Sequence, residues 1–320
     1  MKFKMLCITP VAHIGDLKER MNELFDFTYL PDPIEDEVKA HKDVEIIFTN
    51  PNKSKVYLGK EVIECLPKLK VIATASTGTI HIDKNYCKTR NIKVISITKE
   101  ISVLERITST AEHAFLLTLA ACRNMVQSCN SVALGDWNYE SFVGRQINQL
   151  KIGVLGFGRL GKMYAKYAHC FGAEVFVSDP FKTKEIQNTT YKIADEFEIF
   201  KNCDVVALHI HATEENIKFV NKRLLSIAKP TLILINTSRG EIVSEDDLLS
   251  FLEKNKEAKY FTDVINEEYR GIRNNRLFNS FLFQKQIVIT PHIGGMSIDA
   301  QLIAYNHCFD MLNKFLKELE

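Results

Sequence analysis

The segment that most constrains the fold is a glycine-rich turn between a short apolar run and an amphipathic run. Residues 151–155 (KIGVL) have the composition of a buried strand, and the turn GFGRLG follows them at residues 156–161. Beyond the turn, apolar side chains from Leu160 to Ala168 recur at the spacing of one helix face, and Gly172 is placed to end that helix. A strand, a tight turn and a helix in this order predict a βαβ unit and therefore a parallel sheet.

Short apolar runs alternate with helix-like runs along almost the whole chain. Consecutive apolar residues over such short runs are typical of parallel strands that are buried on both faces. The apolar helical segment 111–123 separates two series of runs, and a second helix, 299–319, closes the chain. The runs lie at 4–8, 45–49, 70–74 and 93–97, and then at 151–155, 174–178, 204–209, 231–236, 260–264 and 286–290. This pattern predicts an α/β protein with two doubly wound parallel-sheet domains.

The length of the chain agrees with two domains. It has 320 residues, of which 46% are hydrophobic, enough for two cores. We predict that residues 101–291 form a Rossmann domain that binds the dinucleotide. This domain would be inserted in a flavodoxin-like substrate domain made of residues 1–100 and 292–320.

Charge and cysteine usage limit the classes of partner. Lys plus Arg is 41 and Asp plus Glu is 40, so the chain lacks the basic surplus of nucleic-acid or membrane-surface binding. No run approaches the about 20 apolar residues of a membrane span, and the first apolar run, ended by Pro10, is too short for a signal peptide. The eight cysteines form no Cys-x-x-Cys pair, so we expect free thiols, no metal site and a cytoplasmic protein.

The glycine turn has the arrangement of a dinucleotide site. Gly156 permits the tight turn, Gly158 lets the backbone approach a pyrophosphate, and Gly161 allows close packing of the helix on the strand. The start of the helix, at Arg159 and Leu160, supplies N–H donors and the positive end of the helix dipole. The next apolar run ends at Asp179, whose carboxylate can accept hydrogen bonds from ribose hydroxyls and would repel a 2′-phosphate. These features predict NAD as the cofactor.

Three ionisable residues follow later strand-like runs. Arg239 lies in NTSRG, Glu268 in DVINEE and His292 in TPHIGG. A histidine can donate a proton to the alkoxide that forms when a ketone accepts hydride, a carboxylate can orient its ring, and a guanidinium can hold a substrate carboxylate. Each residue alone is more often a loop or surface residue, but the three beside a dinucleotide turn predict a site of hydride transfer.

With these motifs in place, the chain resembles the D-isomer-specific 2-hydroxyacid dehydrogenases over nearly its whole length. GFGRLG with Asp179, NTSRG, DVINEE and TPHIGG occur in the order and at the spacing of that family. The resemblance implies that Arg239 binds substrate and acts as the electrophilic residue, that Glu268 pairs with the histidine, and that His292 is the general acid and base. It also implies cofactor contacts from the following residues: Gly156, Gly158, Arg159, Leu160, Gly161, Asp179, His209, Thr237, Ser238, Arg239, Asp263, His292, Gly294 and Gly295.

The resemblance assigns a substrate loop and an assembly as well. Ser76, Thr77 and Gly78 match the loop that takes the substrate carboxylate, together with Arg239 and His292. Asp136-Trp137 resembles the dimerisation arm, which implies a homodimer. The chain departs from the family pattern at Ile80, at His211 and at Tyr269, and Glu267 beside Glu268 leaves open which of the two faces His292.

Two alternatives to an NAD-dependent D-2-hydroxyacid dehydrogenase share features of this sequence. A non-catalytic, NAD-sensing protein of the corepressor type would have the same fold, but loss of the Arg, Glu and His trio would favour it, and all three are present. A formate dehydrogenase would need a differently lined pocket. The sequence therefore favours interconversion of a small D-2-hydroxy acid and its 2-keto acid, and no appended regulatory module is expected after residue 320.

Overall fold

The computed structural model describes residues 2–51, 56–79, 81–268, 272–281 and 285–318. The chain divides into two compact units, Met1–Ile107 with Met296–Glu320, and Thr108–Gly295. Within the described ranges, no helix combines the length and the apolar character that crossing a membrane would require.

The strands are short, as expected for parallel sheets whose faces are both covered. Among the residues that the structure describes, five strands belong to the first unit and seven to the second. In chain order they are β1 (Lys4–Cys7), β2 (Asp26–Tyr29), β3 (Ile46–Thr49), β4 (Val71–Thr74), β5 (Lys93–Ser96), β6 (Lys151–Leu155), β7 (Glu174–Ser178), β8 (Lys192–Ile193), β9 (Val205–Leu208), β10 (Ile233–Asn236), β11 (Lys259–Thr262) and β12 (Ile287–Ile289).

The helices lie between the strands and cover the sheets. In chain order they are α1 (Leu17–Leu24), α2 (Glu35–Lys39), α3 (Lys60–Ile63), α4 (Lys84–Thr89), α5 (Ile101–Leu104), α6 (Ser109–Cys122), α7 (Met125–Ala133), α8 (Arg159–Cys170), α9 (Thr183–Gln187), α10 (Glu196–Asn202), α11 (Lys222–Leu225), α12 (Glu245–Lys254), α13 (Arg276–Phe281) and α14 (Ile298–Lys317).

The first unit contains a parallel sheet in the order β2-β1-β3-β4-β5, the flavodoxin-like arrangement. Alternate residues of its strands enter two separate cores. Met5 and Cys7 pack with the buried face of α14, at Tyr305 and Phe309, while Leu6 faces the opposite side. The last helix of the chain therefore completes the core that the first strand begins.

The second unit contains a parallel sheet in the order β12-β11-β10-β9-β6-β7-β8, a doubly wound Rossmann arrangement with an extra strand at one edge. Its strands also alternate between two cores. Val205 and Ala207 of β9 enter the core under α6 and α8, whereas Val206 and Leu208 enter the core under α10 and α12. Burial on both faces explains why these strands are continuous apolar runs in the sequence.

The predicted fold class is confirmed, and the structure adds two strands. Neither β2 nor β8 was predicted, because both lie at a sheet edge and lack a continuous buried run. The units also divide a few residues after the expected boundaries, at Ile107 and at Gly295. Leu104 and Ile107 are part of the core of the first unit. The residues around His292 stay with the second unit, because hydrogen bonds to Asp263 hold them.

Candidate active site and dinucleotide site

The glycine turn lies between β6 and α8, as predicted. Gly156 has φ of +95°, a left-handed conformation that side chains disfavour, and a Cβ there would lie 2.6 Å from the carbonyl oxygen of His209. A Cβ on Gly161 would collide with the carbonyl oxygen of Gly156. Arg159, Leu160 and Gly161 form the first turn of α8. Gly172 follows the end of this helix and has a left-handed φ of +85°. The turn and the helix therefore pack too closely at Gly156 and Gly161 for any side chain.

Asp179 follows β7 directly and is tied to the turn. Its Oδ2 accepts a hydrogen bond of 2.7 Å from the backbone N–H of Phe157, and its Oδ1 accepts one of 2.9 Å from Phe181. The side chain is partly exposed, and each carboxylate oxygen can accept a further hydrogen bond from the hydroxyl groups of a ribose. The two backbone bonds hold the carboxylate at the edge of the sheet next to the turn.

Several features of this edge fit a bound dinucleotide. The space where a Cβ of Gly158 would point is open, with no described heavy atom within 4 Å. Among the described residues, Oγ1 of Thr237 and Nε2 of His209 are buried and have no hydrogen-bond partner, although buried polar atoms are normally paired. Burial lowers the pKa of His209 to about 4 and keeps the ring neutral. The residues present therefore fit the NAD that the sequence predicts.

His292 and Glu268 are in direct contact. Nδ1 of His292 lies 2.6 Å from Oε1 of Glu268, and both side chains are partly exposed. A carboxylate only accepts, so Nδ1 donates this bond and Nε2 is left to exchange a proton with a ligand. This geometry selects Glu268 rather than Glu267 as the partner of His292.

The loop that carries His292 is bound to Asp263, which follows β11. The carboxylate of Asp263 accepts hydrogen bonds from the N–H groups of Ile293, at 2.9 Å, and Gly294, at 2.7 Å, and from the hydroxyl of Thr290, at 2.5 Å. Burial of this carboxyl opposes ionisation, but the nearby ring of His113 and these hydrogen bonds hold its pKa below the usual value. Gly295 continues this loop.

Arg239 lies beyond β10, which neighbours β11. Its Nη1 donates a 2.6 Å bond to the carbonyl of Ser238, and Nδ2 of Asn236 donates to the carbonyl of Arg239. Ser238 in turn donates from Oγ to the carbonyl of Leu208, at 2.8 Å. Arg239 is partly buried and its loop is fixed by these bonds, at the same carboxyl edge of the sheet as His292 and Glu268.

The predicted substrate loop follows β4 in the first unit. Oγ of Ser76 donates a 2.5 Å bond to the carbonyl of Gly78, and Oγ1 of Thr98 donates to the carbonyl of Thr77. These bonds use the carbonyl groups of the loop. Within the part of the chain that the structure describes, the N–H groups of Ser76, Thr77 and Gly78 have no acceptor, which leaves them free to bind an anion.

The sequence did not single out Glu245, which supports the loop of Glu268. Its Oε1 accepts a 2.9 Å hydrogen bond from the N–H of Asn266, and its carboxylate also contacts Nδ2 of Asn275. The only signal in the sequence is an acidic first turn of α12, which is equally typical of a helix start. Two departures from the family pattern, Ile80 and Tyr269, lie outside the described residues.

Two family profiles match the chain. The profile of the D-isomer specific 2-hydroxyacid dehydrogenase NAD binding domain matches residues 115–294, and the profile of the catalytic domain matches residues 10–196. The first match includes the glycine turn, Asp179 and the loops of Arg239, Glu268 and His292. NAD is therefore the cofactor of the second unit.

Curated relatives agree with the profiles. The chain is 32% identical over 251 residues to a D-3-phosphoglycerate dehydrogenase of Archaeoglobus fulgidus, a match over 78% of this chain and 46% of that protein. It is also 32% identical over 251 residues to a glyoxylate reductase of Thermococcus litoralis, over 76% of this chain and 72% of the relative. The chain spans about half the length of the D-3-phosphoglycerate dehydrogenases that it matches.

The solved structures show the same fold. A D-lactate dehydrogenase of Aquifex aeolicus, in complex with NAD and lactic acid, superposes with a TM-score of 0.81 at 26% identity, covering 98% of this chain and 95% of the other. The sequence profiles, the curated relatives and the shared fold thus all point to the family that the motifs at the carboxyl edge of the second sheet indicate. The chain belongs to the D-isomer specific 2-hydroxyacid dehydrogenase family.

Proposed function

We propose that the protein reduces a small 2-keto acid to the D-2-hydroxy acid with NADH, and catalyses the reverse reaction with NAD. The observation that carries this proposal is the 2.6 Å contact between Nδ1 of His292 and Glu268, at the sheet edge that also bears the glycine turn. In this proposal the second unit binds the cofactor.

The chemistry of each residue follows from its contacts. When bound, the reduced nicotinamide supplies a hydride to the keto carbon. His292 gives the proton on Nε2 to the carbonyl oxygen, so that hydride and proton together convert the ketone to an alcohol. Glu268 holds Nδ1 and stabilises the imidazolium before the transfer. Arg239 binds the substrate carboxylate and polarises the ketone, since a guanidinium matches the geometry of a carboxylate.

The proposal also assigns a role to the loop after β4, within the first unit. The free N–H groups of Ser76, Thr77 and Gly78 support a role in holding an anionic group of the substrate. In the second unit, Thr237 and Ser238 after β10, His209 after β9, and Gly294 and Gly295 beside Asp263 are proposed to contact the cofactor.

The test is an assay of NADH oxidation with a panel of 2-keto acids that carry hydrogen, hydroxyl, phosphate or alkyl groups at C3. We expect turnover of at least one, formation of the D enantiomer, and a higher kcat/KM with NADH than with NADPH because of Asp179. His292→Ala is expected to lower kcat by about 10²- to 10⁴-fold, while the Kd of NADH, measured by fluorescence, stays within a few-fold.

Two outcomes would contradict this function. Full turnover by His292→Ala would remove the assigned acid. Tight NADH binding without oxidation by any keto acid of the panel would favour the non-catalytic NAD sensor instead.

We also propose a homodimer that forms through the segment after α7. Large apolar side chains are exposed there, with Leu134 88%, Trp137 85%, Tyr139 80% and Val143 80% accessible. Such a cluster is unusual on the surface of a monomer and typical of an interface. Light scattering should give twice the chain mass, and Trp137→Asp should shift the protein toward the monomer; a monomeric wild type would contradict the proposal.

A cytoplasmic location is proposed from the thiols. Burial raises the pKa of Cys7 and Cys203 to about 12 and that of Cys122 to about 11, so these side chains are protonated and unreactive. Titration of freshly prepared, unfolded protein should find eight free thiols per chain; fewer would indicate disulfides and an oxidising compartment.

A further inference from the structure

His113 of α6 lies against the loop that carries His292. Its Nε2 is 2.9 Å from Oγ1 of Thr290 and 3.4 Å from Oδ1 of Asp263. The side chain of His113 is 11% exposed and that of Asp263 is 2% exposed. This contact joins the first turns of α6 to the ends of β11 and β12, all within the second unit.

The hydrogen bonds in this cluster have a fixed direction. Oγ1 of Thr290 is 2.5 Å from Oδ1 of Asp263, and an ionised carboxyl only accepts, so the single hydroxyl proton of Thr290 points to Asp263. The hydroxyl oxygen therefore accepts toward His113, and Nε2 of His113 must carry the proton. The result is a directed relay from His113 through Thr290 to Asp263.

Asp263 connects this relay to the loop that carries His292. Its two oxygens accept from the N–H groups of Ile293 and Gly294, which follow His292 in the chain. His292 has φ of 53°, a left-handed conformation that is costly for a residue with a side chain. Such a conformation persists only where its surroundings hold it. The Asp263 carboxylate is thus part of what keeps the His292 backbone in place.

The helix that carries His113 contributes a second restraint. A Cβ on Gly294 would lie 3.0 Å from Oδ2 of Asp263 and 3.3 Å from Cγ2 of Thr110, one turn before His113. The loop therefore packs closely on the start of α6 at Gly294 while His113 reaches Thr290. A small shift of Thr290 or Asp263 would move the backbone on both sides of His292.

We propose that His113 is a positioning residue, which orients the loop of His292 through Thr290 and Asp263. The kinetic part of this inference rests on the proposed function, because it takes His292 as the proton donor. The structural part, restraint of residues 290–294, does not.

The first test replaces the donor. His113→Phe keeps a ring of similar size but removes the N–H, whereas His113→Gln places an amide N–H at about the reach of Nε2. We expect His113→Phe to lower kcat by about 10-fold, since small displacements of a catalytic group are costly, with the Kd of NADH within about threefold. His113→Gln should restore most of kcat. His169→Phe, the same exchange at an exposed site of α8, serves as the control and should leave kcat unchanged within about twofold.

The second test uses the hydroxyl in the middle of the relay. Thr290→Val should lose activity as His113→Phe does, and Thr290→Ser should retain it. Both changes break the same chain of hydrogen bonds. The double variant His113→Phe with Thr290→Val should therefore lose no more kcat than the more strongly impaired of the two single variants. Multiplied losses in the double variant would show two independent effects and overturn the relay.

The third test does not depend on turnover. Hydrogen–deuterium exchange of peptides that cover residues 286–296 should be faster in His113→Phe than in the wild type and restored in His113→Gln. Unchanged exchange together with unchanged kcat in His113→Phe would overturn the proposal, as would a His113→Gln variant impaired as strongly as His113→Phe. An active His292→Ala variant would overturn the proposed function alone, since the exchange result would still test the restraint.

Discussion

Both the backbone and the side chain of His292 are constrained: the backbone is left-handed and the ring is hydrogen-bonded to Glu268. Its N–H donates to the carbonyl groups of Asp263, at 3.0 Å, and Thr290, at 2.9 Å, while its ring contacts Glu268. Glu267, the neighbour of Glu268, also has a left-handed backbone, with φ of 52°. Strained backbone on both sides of the hydrogen bond between His292 and Glu268 is typical of a site whose geometry is fixed before ligand binds.

The negative charge of Glu268 can be removed without changing the size of the side chain. Glu268→Gln keeps an acceptor for Nδ1 but removes the negative charge that favours the imidazolium. We expect kcat/KM for keto-acid reduction to fall by about 10- to 100-fold. The measurement is kcat/KM at neutral pH with the substrate that the keto-acid panel identifies.

The matched control for this change is one residue away. Glu267→Gln removes the same charge from an exposed side chain, and it should leave kcat/KM unchanged. If Glu267→Gln lowered kcat/KM and Glu268→Gln did not, the assignment of the pair would be wrong.

The element that we propose binds the cofactor is the β6-turn-α8 unit. Two of its glycines have opposite surroundings, since the Cβ position of Gly161 is blocked by backbone and that of Gly158 is open. Gly161 thus serves the packing of helix on strand, whereas the open side of Gly158 is available to a ligand.

This difference predicts two separable phenotypes. Gly161→Ala should lower the Tm, because overpacking against backbone costs about 1–3 kcal/mol or more. Gly158→Ala should leave the Tm of the protein without ligand within about 1–2 °C, but raise the Kd of NADH by about 10-fold or more, which corresponds to about 1.4 kcal/mol. Calorimetry with and without NADH measures both, and a Gly158→Ala variant with normal NADH affinity would place the pyrophosphate elsewhere.

In the second unit, one partly buried carboxylate that precedes β9 joins three segments away from the carboxyl edge of the sheet. Asp204 precedes β9, and its side chain accepts from the N–H of Lys151, from Nζ of Lys229 and from Nη1 of Arg145. These groups belong to three separate segments of the unit. Burial opposes ionisation of Asp204, but these bonds lower its pKa below the usual 3.8.

The sign of the pH dependence follows from the lowered pKa. A carboxyl whose pKa is lower in the folded state stabilises the protein above its unfolded pKa, and this contribution is lost as the pH falls through the folded value. Asp204→Asn should therefore reduce the free energy of unfolding by about 2 kcal/mol at pH 7, with the difference from wild type shrinking below about pH 4. Urea unfolding across this pH range measures it.

Asp310→Asn is the control for Asp204→Asn. It also removes one carboxylate, but one that is 60% exposed and paired with Arg20 at the surface. It should change the free energy of unfolding by less than about 1 kcal/mol at any pH. An equal effect of the two variants would mean that net charge, rather than the Asp204 contacts, sets the pH dependence.

The sequence by itself determined the two sheets, the glycine turn and the family. Buried parallel strands must be apolar on both faces, and a strand-turn-helix unit that holds a pyrophosphate needs glycine at fixed positions, so both leave local signals. The edge strands β2 and β8 leave none, because half-exposed strands have no continuous apolar run.

Only the tertiary structure decided which groups meet. The motif already favours Glu268 over the adjacent Glu267, but only the backbone of the loop after β11 places the carboxylate of Glu268 against His292. His113, Thr290 and Asp263 lie far apart in the chain and meet because parallel strands bring their carboxyl ends to one edge and α6 packs beside it. Hydrogen bonds between distant segments depend on backbone positions that no local pattern encodes, which is the physical reason the relay could not be predicted.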